Sequence, residues 1–225
     1  MHSFDEIFEM AAKLHGGSDA VEAILADFQP LSADELAETP DDRWLAAFTR
    51  CVFQAGFSWK VIETKWPHFE DVFWNFDPRR CAMMSDDDLD RLLADKKLVR
   101  NAAKILSVRD NAIMLTRLAE ERGSAADLLA RWPVADQMGL TDLLKRNGSR
   151  LGGTTAQLAL RFMRRDGFVL SSSVLAALER EKVIERAVYS RPAQTAVQAA
   201  FNGWVRESGR PMMQVSRLLA LSVDD

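Results

Sequence analysis

The sequence predicts an all-α protein, two-lobed if the chain divides at all. Three observations carry that prediction. Apolar residues recur at three- and four-residue spacing in stretch after stretch. Strict apolar/polar alternation over a strand length is hard to find. Residues suited to helix starts and stops bracket the periodic runs.

The elements follow in chain order. Residues 1–38 read as an N-terminal helical extension, ahead of a main domain over residues 39–225. Thr39-Pro40-Asp41-Asp42 reads as an N-cap, a proline at the first helical position and an acidic first turn. It opens a helix through Trp44, Leu45, Phe48 and Val52. Ser85 followed by Asp86, Asp87 and Asp88 opens another through Leu89, Leu92 and Leu93. A long helix is expected from Arg100 to Arg122, with Ile105, Val108, Ala112, Leu115 and Leu118 facing inward and Gly123 as its stop. Ser124 starts a short helix that ends near Trp132-Pro133. Pro192 and Pro211 mark the starts of the last two helices, with Ser208-Gly209-Arg210 as the turn between them. Met212, Met213, Val215, Leu218, Leu219 and Leu221 either cap the core or meet a partner, and the core is the expectation.

Composition bounds the function. The chain has 225 residues, 48% hydrophobic and 28% charged, long enough to bury a substantial core. It contains no run of about 18 uncharged apolar residues, and its acidic, amphipathic start lacks the regions of a signal peptide, so a cytoplasmic protein is expected. Cys51 and Cys81 are too few for a disulfide framework. His2, His15 and His68 are scattered, so neither a metal site nor a cofactor is predicted. The net charge of −4 argues against a wholly basic nucleic-acid binder. Locally, however, Leu143 to Arg165 contains no acidic residue and includes Lys145, Arg146, Arg150, Arg161, Arg164 and Arg165.

Two stretches carry the chemistry. In QAGFSWKVIETKW, from Gln54 to Trp66, the spacing permits either a core helix or the wall of a pocket that stacks on a flat ligand. Ser58 is the expected N-cap of its helix, and Trp66 is expected in the core. In LLKRNGSRLGGTTAQLALRFMRR, Asn147-Gly148 and Gly152-Gly153 bracket a turn between two helices, the second starting at Thr154. Glycine lets a backbone approach another molecule closely, and the amides at a helix start attract anions, phosphate above all. Arg161, Arg164 and Arg165 are expected on one face of that second helix. The sequence thus nominates Gly148, Arg150, Gly152, Gly153, Thr154, Thr155 and Arg161 as contacts to a phosphate backbone. Lys97, Arg100 and Lys104 form a second basic stripe, which either tracks DNA or pairs with Asp86, Asp87 and Asp88.

The segment from FQAGFSWKVIETKW to DDDLDRLLADKKLVRNAAKI, followed later by LKRNGSRLGGTTAQLALRFM, resembles the 3-methyladenine DNA glycosylase I family over roughly Asp42 to Phe168. The resemblance implies a two-lobed all-α fold of the helix-hairpin-helix DNA glycosylase type. It also implies an activity: a damaged base is swung out of double-stranded DNA and its N-glycosidic bond is hydrolysed. Trp59 then matches the pocket tryptophan that stacks on the flipped base, beside Gln54 and Cys51, and a cationic alkylpurine over an indole gains roughly 0.5 to 2 kcal/mol. No cofactor is implied, and a monomer is expected. The departures are specific. Cys51 stands where the family has a pocket glutamate, and both an N-terminal Tyr-His-Asp and Glu-Trp-Gly block and the family's zinc ligands are missing. No catalytic residue is therefore assigned. Thr154 and Thr155 stand where some relatives carry a Schiff-base lysine, which disfavours lyase chemistry. The alternative is a module of the same fold that grips DNA without performing the cleavage.

Overall fold

The computed structural model describes residues 1–185 and 190–224. It contains the α-helices α1 (Phe4–Leu14), α2 (Ser18–Ala26), α3 (Ala33–Ala37), α4 (Asp41–Gln54), α5 (Trp59–Val72), α6 (Pro78–Ala82), α7 (Asp86–Ala94), α8 (Ala102–Arg122), α9 (Ala125–Arg131), α10 (Gln137–Asn147), α11 (Thr154–Phe162), α12 (Ser172–Arg180), α13 (Arg191–Ser208) and α14 (Met212–Leu221), and no strand among the described residues. The fold is the all-α one the periodicity predicts.

The caps act as their residue types require. Ser85 and Asp88 form a reciprocal capping box at the start of α7, and Ser124 accepts from the Asp127 amide at the start of α9. Gly123 ends α8 with φ +86°, a left-handed conformation that glycine adopts without strain. At α4 the expected register slips by one: Pro40 is the N-cap and the helix starts at Asp41.

Contacts divide the chain into two compact units, one of Ser32–Trp132 with Leu140–Met163, the other of Met1–Leu31 with Pro133–Gly139 and Arg164–Asp225. The first is organised around α4, whose residues from Trp44 to Phe48 and from Cys51 to Gln54 are all buried. Helices α8 and α11 pack on it. Below it runs an aromatic ladder in which Trp66 lies parallel to both Phe69 and Phe76, with ring centroids 5.5 and 5.3 Å apart. The second unit buries Phe4, Ile7 and Leu25 of α1 and α2 against Phe201 and Trp204 of α13 and Val215 and Leu218 of α14. Phe168 stacks on Phe201 at 4.3 Å. Asp166 accepts hydrogen bonds from the Met212 and Met213 amides, capping α14 from outside the helix. The last helix is core, as its apolar run predicts.

Candidate base and phosphate site

The predicted site residues all fall in the unit built around α4. The glycine corner forms where expected, α10 ending at Asn147 and α11 starting at Thr154. Gly148 is required by close packing: a Cβ there would lie 2.8 Å from the Asn111 Oδ1 and 2.8 Å from the Leu144 carbonyl oxygen. Gly153, the N-cap of α11, has φ +58° and ψ −133°, which L side chains rarely adopt, with open space where its Cβ would be. Gly152 needs no such freedom, and its carbonyl accepts from the Thr155 amide at 3.2 Å. Arg150 at the tip is exposed and takes φ +61°, an uncommon conformation for a non-glycine residue that is held by its neighbours.

What holds the corner is Asn111, fully buried on α8. Its Oδ1 accepts the Ser149 amide at 2.7 Å and its Nδ2 donates to the Ser149 carbonyl at 3.1 Å, so one carboxamide satisfies both backbone groups of the residue beside Arg150. The motif reading missed this residue. The available signal was an asparagine on the inward face marked by Ile105, Val108, Ala112 and Leu115.

The basic patch is smaller than the sequence suggests. Helix α11 ends at Phe162, so Arg161 alone of the expected triplet lies on it, partly buried. Arg164 follows a left-handed residue conformation of its own (φ +58°) and donates to the Gln29 carbonyl from Nε and Nη2. Arg165 is buried and donates to the Asp166 carbonyl. Arg146 pairs with Asp142. The second stripe also breaks up. Lys104 is only 3% exposed and donates to the Phe53 and Ala55 carbonyls at 3.1 and 2.6 Å, with its ammonium 4.5 Å from the Phe57 ring centroid. It ties down the end of α4 and does not face a ligand. Burial lowers its pKa, with the Arg150 charge adding to the effect. The aspartates of α7 find other partners, Asp88 with Arg91 and Asp86 with Arg109.

Trp59 is the first residue of α5 and is 48% exposed. Ser58 occupies the N-cap position without accepting a side-chain hydrogen bond. The indole meets the Phe162 ring edge-on at 5.7 Å between centroids. Phe162 is also exposed, so two aromatic surfaces stand together in the open. One turn along α5 from Trp59, Glu63 accepts from the Gln54 Nε2 at 3.0 Å and from the Arg50 Nη2 at 3.1 Å. The Arg50 guanidinium lies 4.5 Å from the Trp66 ring centroid. Gln54 is 4% exposed, and its Oε1 is buried with no hydrogen-bond partner. Cys51, one turn earlier on α4, is buried, and burial pushes its thiol up to about 12, so it stays a neutral thiol near pH 7. Glu63, the carboxylate that actually reaches Gln54, was passed over because it belongs to the next helix. Its signal was its one-turn spacing from Trp59. Among the described residues no group of three His, Cys, Asp or Glu side chains is placed to hold a metal ion, and no helix is long and apolar enough to cross a membrane.

The chain is 27% identical over 135 residues to DNA-3-methyladenine glycosylase 1 of Escherichia coli strain K12, covering 52% of this chain and 71% of that protein. It is 34% identical to DNA-3-methyladenine glycosylase of Haemophilus influenzae over 59 residues, 26% of this chain and 32% of that protein. Among solved structures, a crystal structure of 3-methyladenine DNA glycosylase I is 26% identical, with a TM-score of 0.47 over 57% of this chain and 79% of the other. The Staphylococcus aureus enzyme of that name is 24% identical, with a TM-score of 0.46 over 69% and 89%. Residues 38–174, which include Trp59, Gln54, Cys51 and the whole glycine corner, match the family described as methyladenine glycosylase, and the chain is a distant member of that family.

Proposed function

We propose that this chain is a monofunctional DNA glycosylase that hydrolyses the N-glycosidic bond of alkylated purines such as 3-methyladenine in double-stranded DNA, acting as a monomer in the cytoplasm. The observation that carries the reading is the layout of α11. Its N-terminus is the glycine corner, and its last residue, Phe162, braces the exposed Trp59 indole. Nine residues of helix separate the two ends by about 13 Å. One rigid rod thus relates a phosphate grip to an aromatic platform. In this reading Arg150 and the amides at the start of α11 hold the sugar-phosphate backbone, and Trp59 receives the extruded base. Alkylation at N3 makes the purine a cation, which the indole face attracts and which leaves readily. Water adds to C1′, the base departs neutral, and the proton of the water passes to solvent, leaving an abasic site.

Cys51 favours a second reading. A neutral, buried thiol neither accepts a proton from water nor bears charge against a cationic base, so a module that binds DNA without turnover is also consistent with the site. One experiment separates the two: incubation with N-methylpurine-containing duplex and measurement of released 3-methyladenine. Release that Trp59→Ala abolishes establishes the enzyme. Tight DNA binding with no release overturns it in favour of the module.

A further inference from the structure

We propose that the Trp59 and Phe162 rings form an open stacking platform for unpaired bases, and that through it this chain binds single-stranded DNA more tightly than intact duplex. The inference goes beyond the glycosylase reading: it uses the same indole and requires no bond to be cleaved.

Trp59 is 48% exposed and Phe162 43%, although their ring centroids are only 5.7 Å apart. Phe57 and Val61, two residues before and after Trp59, are exposed as well, so apolar surface continues across the start of α5. Contiguous exposed apolar surface of this kind marks a place where something binds. Its surroundings say what. Lys60, which follows Trp59, is exposed, and Arg161 immediately precedes Phe162. The first carboxylate of α5, Glu63, is taken up by Gln54 and Arg50. At the far end of α11 stands the glycine corner, with Lys145 and Arg150 exposed beside it. Open aromatic rings edged by positive charge suit nucleobases that bring a phosphate backbone with them.

The angle between the rings selects the state of the strand. Their planes are inclined by 61°. A base stacks parallel to the ring beneath it, so two bases seated on this pair lie at about the same inclination to each other. Consecutive bases of a duplex are nearly parallel and cannot meet both rings without leaving the helix. An unpaired strand has no such constraint, because its bases splay and its backbone turns between them. Duplex therefore engages one ring at most, and only after a base pair has been opened, whereas a single strand engages both with nothing to open. Each base stacked on an aromatic side chain raises affinity by roughly 5- to 150-fold, with little regard to sequence.

The test is fluorescence anisotropy of the full chain with a labelled oligodeoxythymidine strand, the duplex it forms with oligodeoxyadenosine, and an abasic strand of equal length, over a salt series. The thymidine strand is expected to bind at least about 5-fold more tightly than either of the others. Phe162→Leu keeps an apolar side chain against the indole and removes the second ring. It is expected to cost the single strand about 5-fold or more at an unchanged salt slope, while Arg150→Ala flattens that slope by about 0.7. An equal loss on single strand and duplex would make Phe162 a brace for the indole and nothing more, which overturns the proposal. Duplex binding as tight as single-strand binding by the unaltered protein overturns it too, as does an abasic strand held as firmly as the thymidine strand. Release of 3-methyladenine from alkylated duplex is measured on the same preparations. Release without a single-strand preference sinks this inference and leaves the glycosylase reading standing, and a single-strand preference without release does the reverse.

Discussion

Replacing Asn111 by alanine tests whether the corner is held from behind. The side chain is fully buried and makes two hydrogen bonds to one residue, at 2.7 Å to the Ser149 amide and 3.1 Å to its carbonyl. Each such bond contributes about 0.5 to 1.5 kcal/mol net, and orphaning a buried backbone group costs about 1 to 3 kcal/mol. Ser149 is only partly buried, so water can recover some of the second loss. The expected destabilisation of Asn111→Ala is therefore about 2 to 4 kcal/mol, read by urea unfolding as a lower midpoint at unchanged slope. A second effect separates a clamp from ordinary core packing. Arg150 sits in a left-handed conformation next to Ser149, and releasing Ser149 lets Arg150 relax. Affinity for undamaged duplex should then fall even under conditions in which the variant is fully folded. A stability change under about 0.5 kcal/mol, or unaltered DNA binding by the folded variant, would refute the assignment.

Lys104→Met removes two hydrogen bonds that close the end of α4 and should lower stability at neutral pH. The folded protein holds the lysine below its ordinary pKa of 10.5, so the unfolded chain binds more protons between those two values and stability rises with pH across that window. Melting temperatures measured from neutral pH to above 10 should show a rise in the parent that the methionine variant lacks. Trp59→Ala, at a half-exposed position, should cost no more than about 1 kcal/mol of stability while weakening base binding by about 1 to 3 kcal/mol, measured by calorimetric titration with free 3-methyladenine. Cys51 and Cys81 are both buried with thiols pushed up to about 12, so neither should react with iodoacetamide at pH 8 until the chain unfolds. Rapid labelling of the native protein by mass spectrometry would contradict their placement.

The helices were legible because caps and apolar spacing are local. Ser85 with Asp88, Ser124 and Gly123 all act within a turn of themselves, and nothing distant overrides them. The glycine corner was legible for the same reason. The site lost detail wherever a long side chain chose among remote partners. Lys104 looked like one of a row of cations at helical spacing, yet α8 starts only at Ala102, and its inward face carries the ammonium to carbonyls some fifty residues away in sequence. The Arg161, Arg164, Arg165 triplet presumed that the helix continues, and Arg164 interrupts it with a left-handed conformation that no residue-type rule assigns to arginine. Pro67 lies inside α5, which runs on to Val72 with Phe69 buried in the aromatic ladder. Cys51 and Glu63 show the same limit in the pocket, since the carboxylate near Gln54 is nine residues downstream on a different helix.

The redistribution of cations has a measurable consequence. Six basic side chains without an acidic neighbour would neutralise about six phosphates, with a log–log salt slope near −5 and a loss of roughly 1,000-fold in affinity between 50 and 200 mM salt. Several of the six are engaged within the protein. Arg146 is paired with Asp142, Arg164 is turned to the Gln29 carbonyl, and Arg165 is buried. Lys145 and Arg150 remain exposed at the corner, with Arg161 partly buried on α11. Two or three phosphate contacts give this region a slope of only about −2 to −3 and a loss of about 15- to 60-fold over the same range. The assay is duplex affinity by fluorescence anisotropy across that salt series. Arg150→Ala and Lys145→Ala should each flatten the slope by about 0.9, while Arg164→Ala should leave it within about 0.3 of the parent. If Arg164→Ala flattens it as much as Arg150→Ala does, the backbone is held by the whole basic run and the glycine corner is not the centre of the grip.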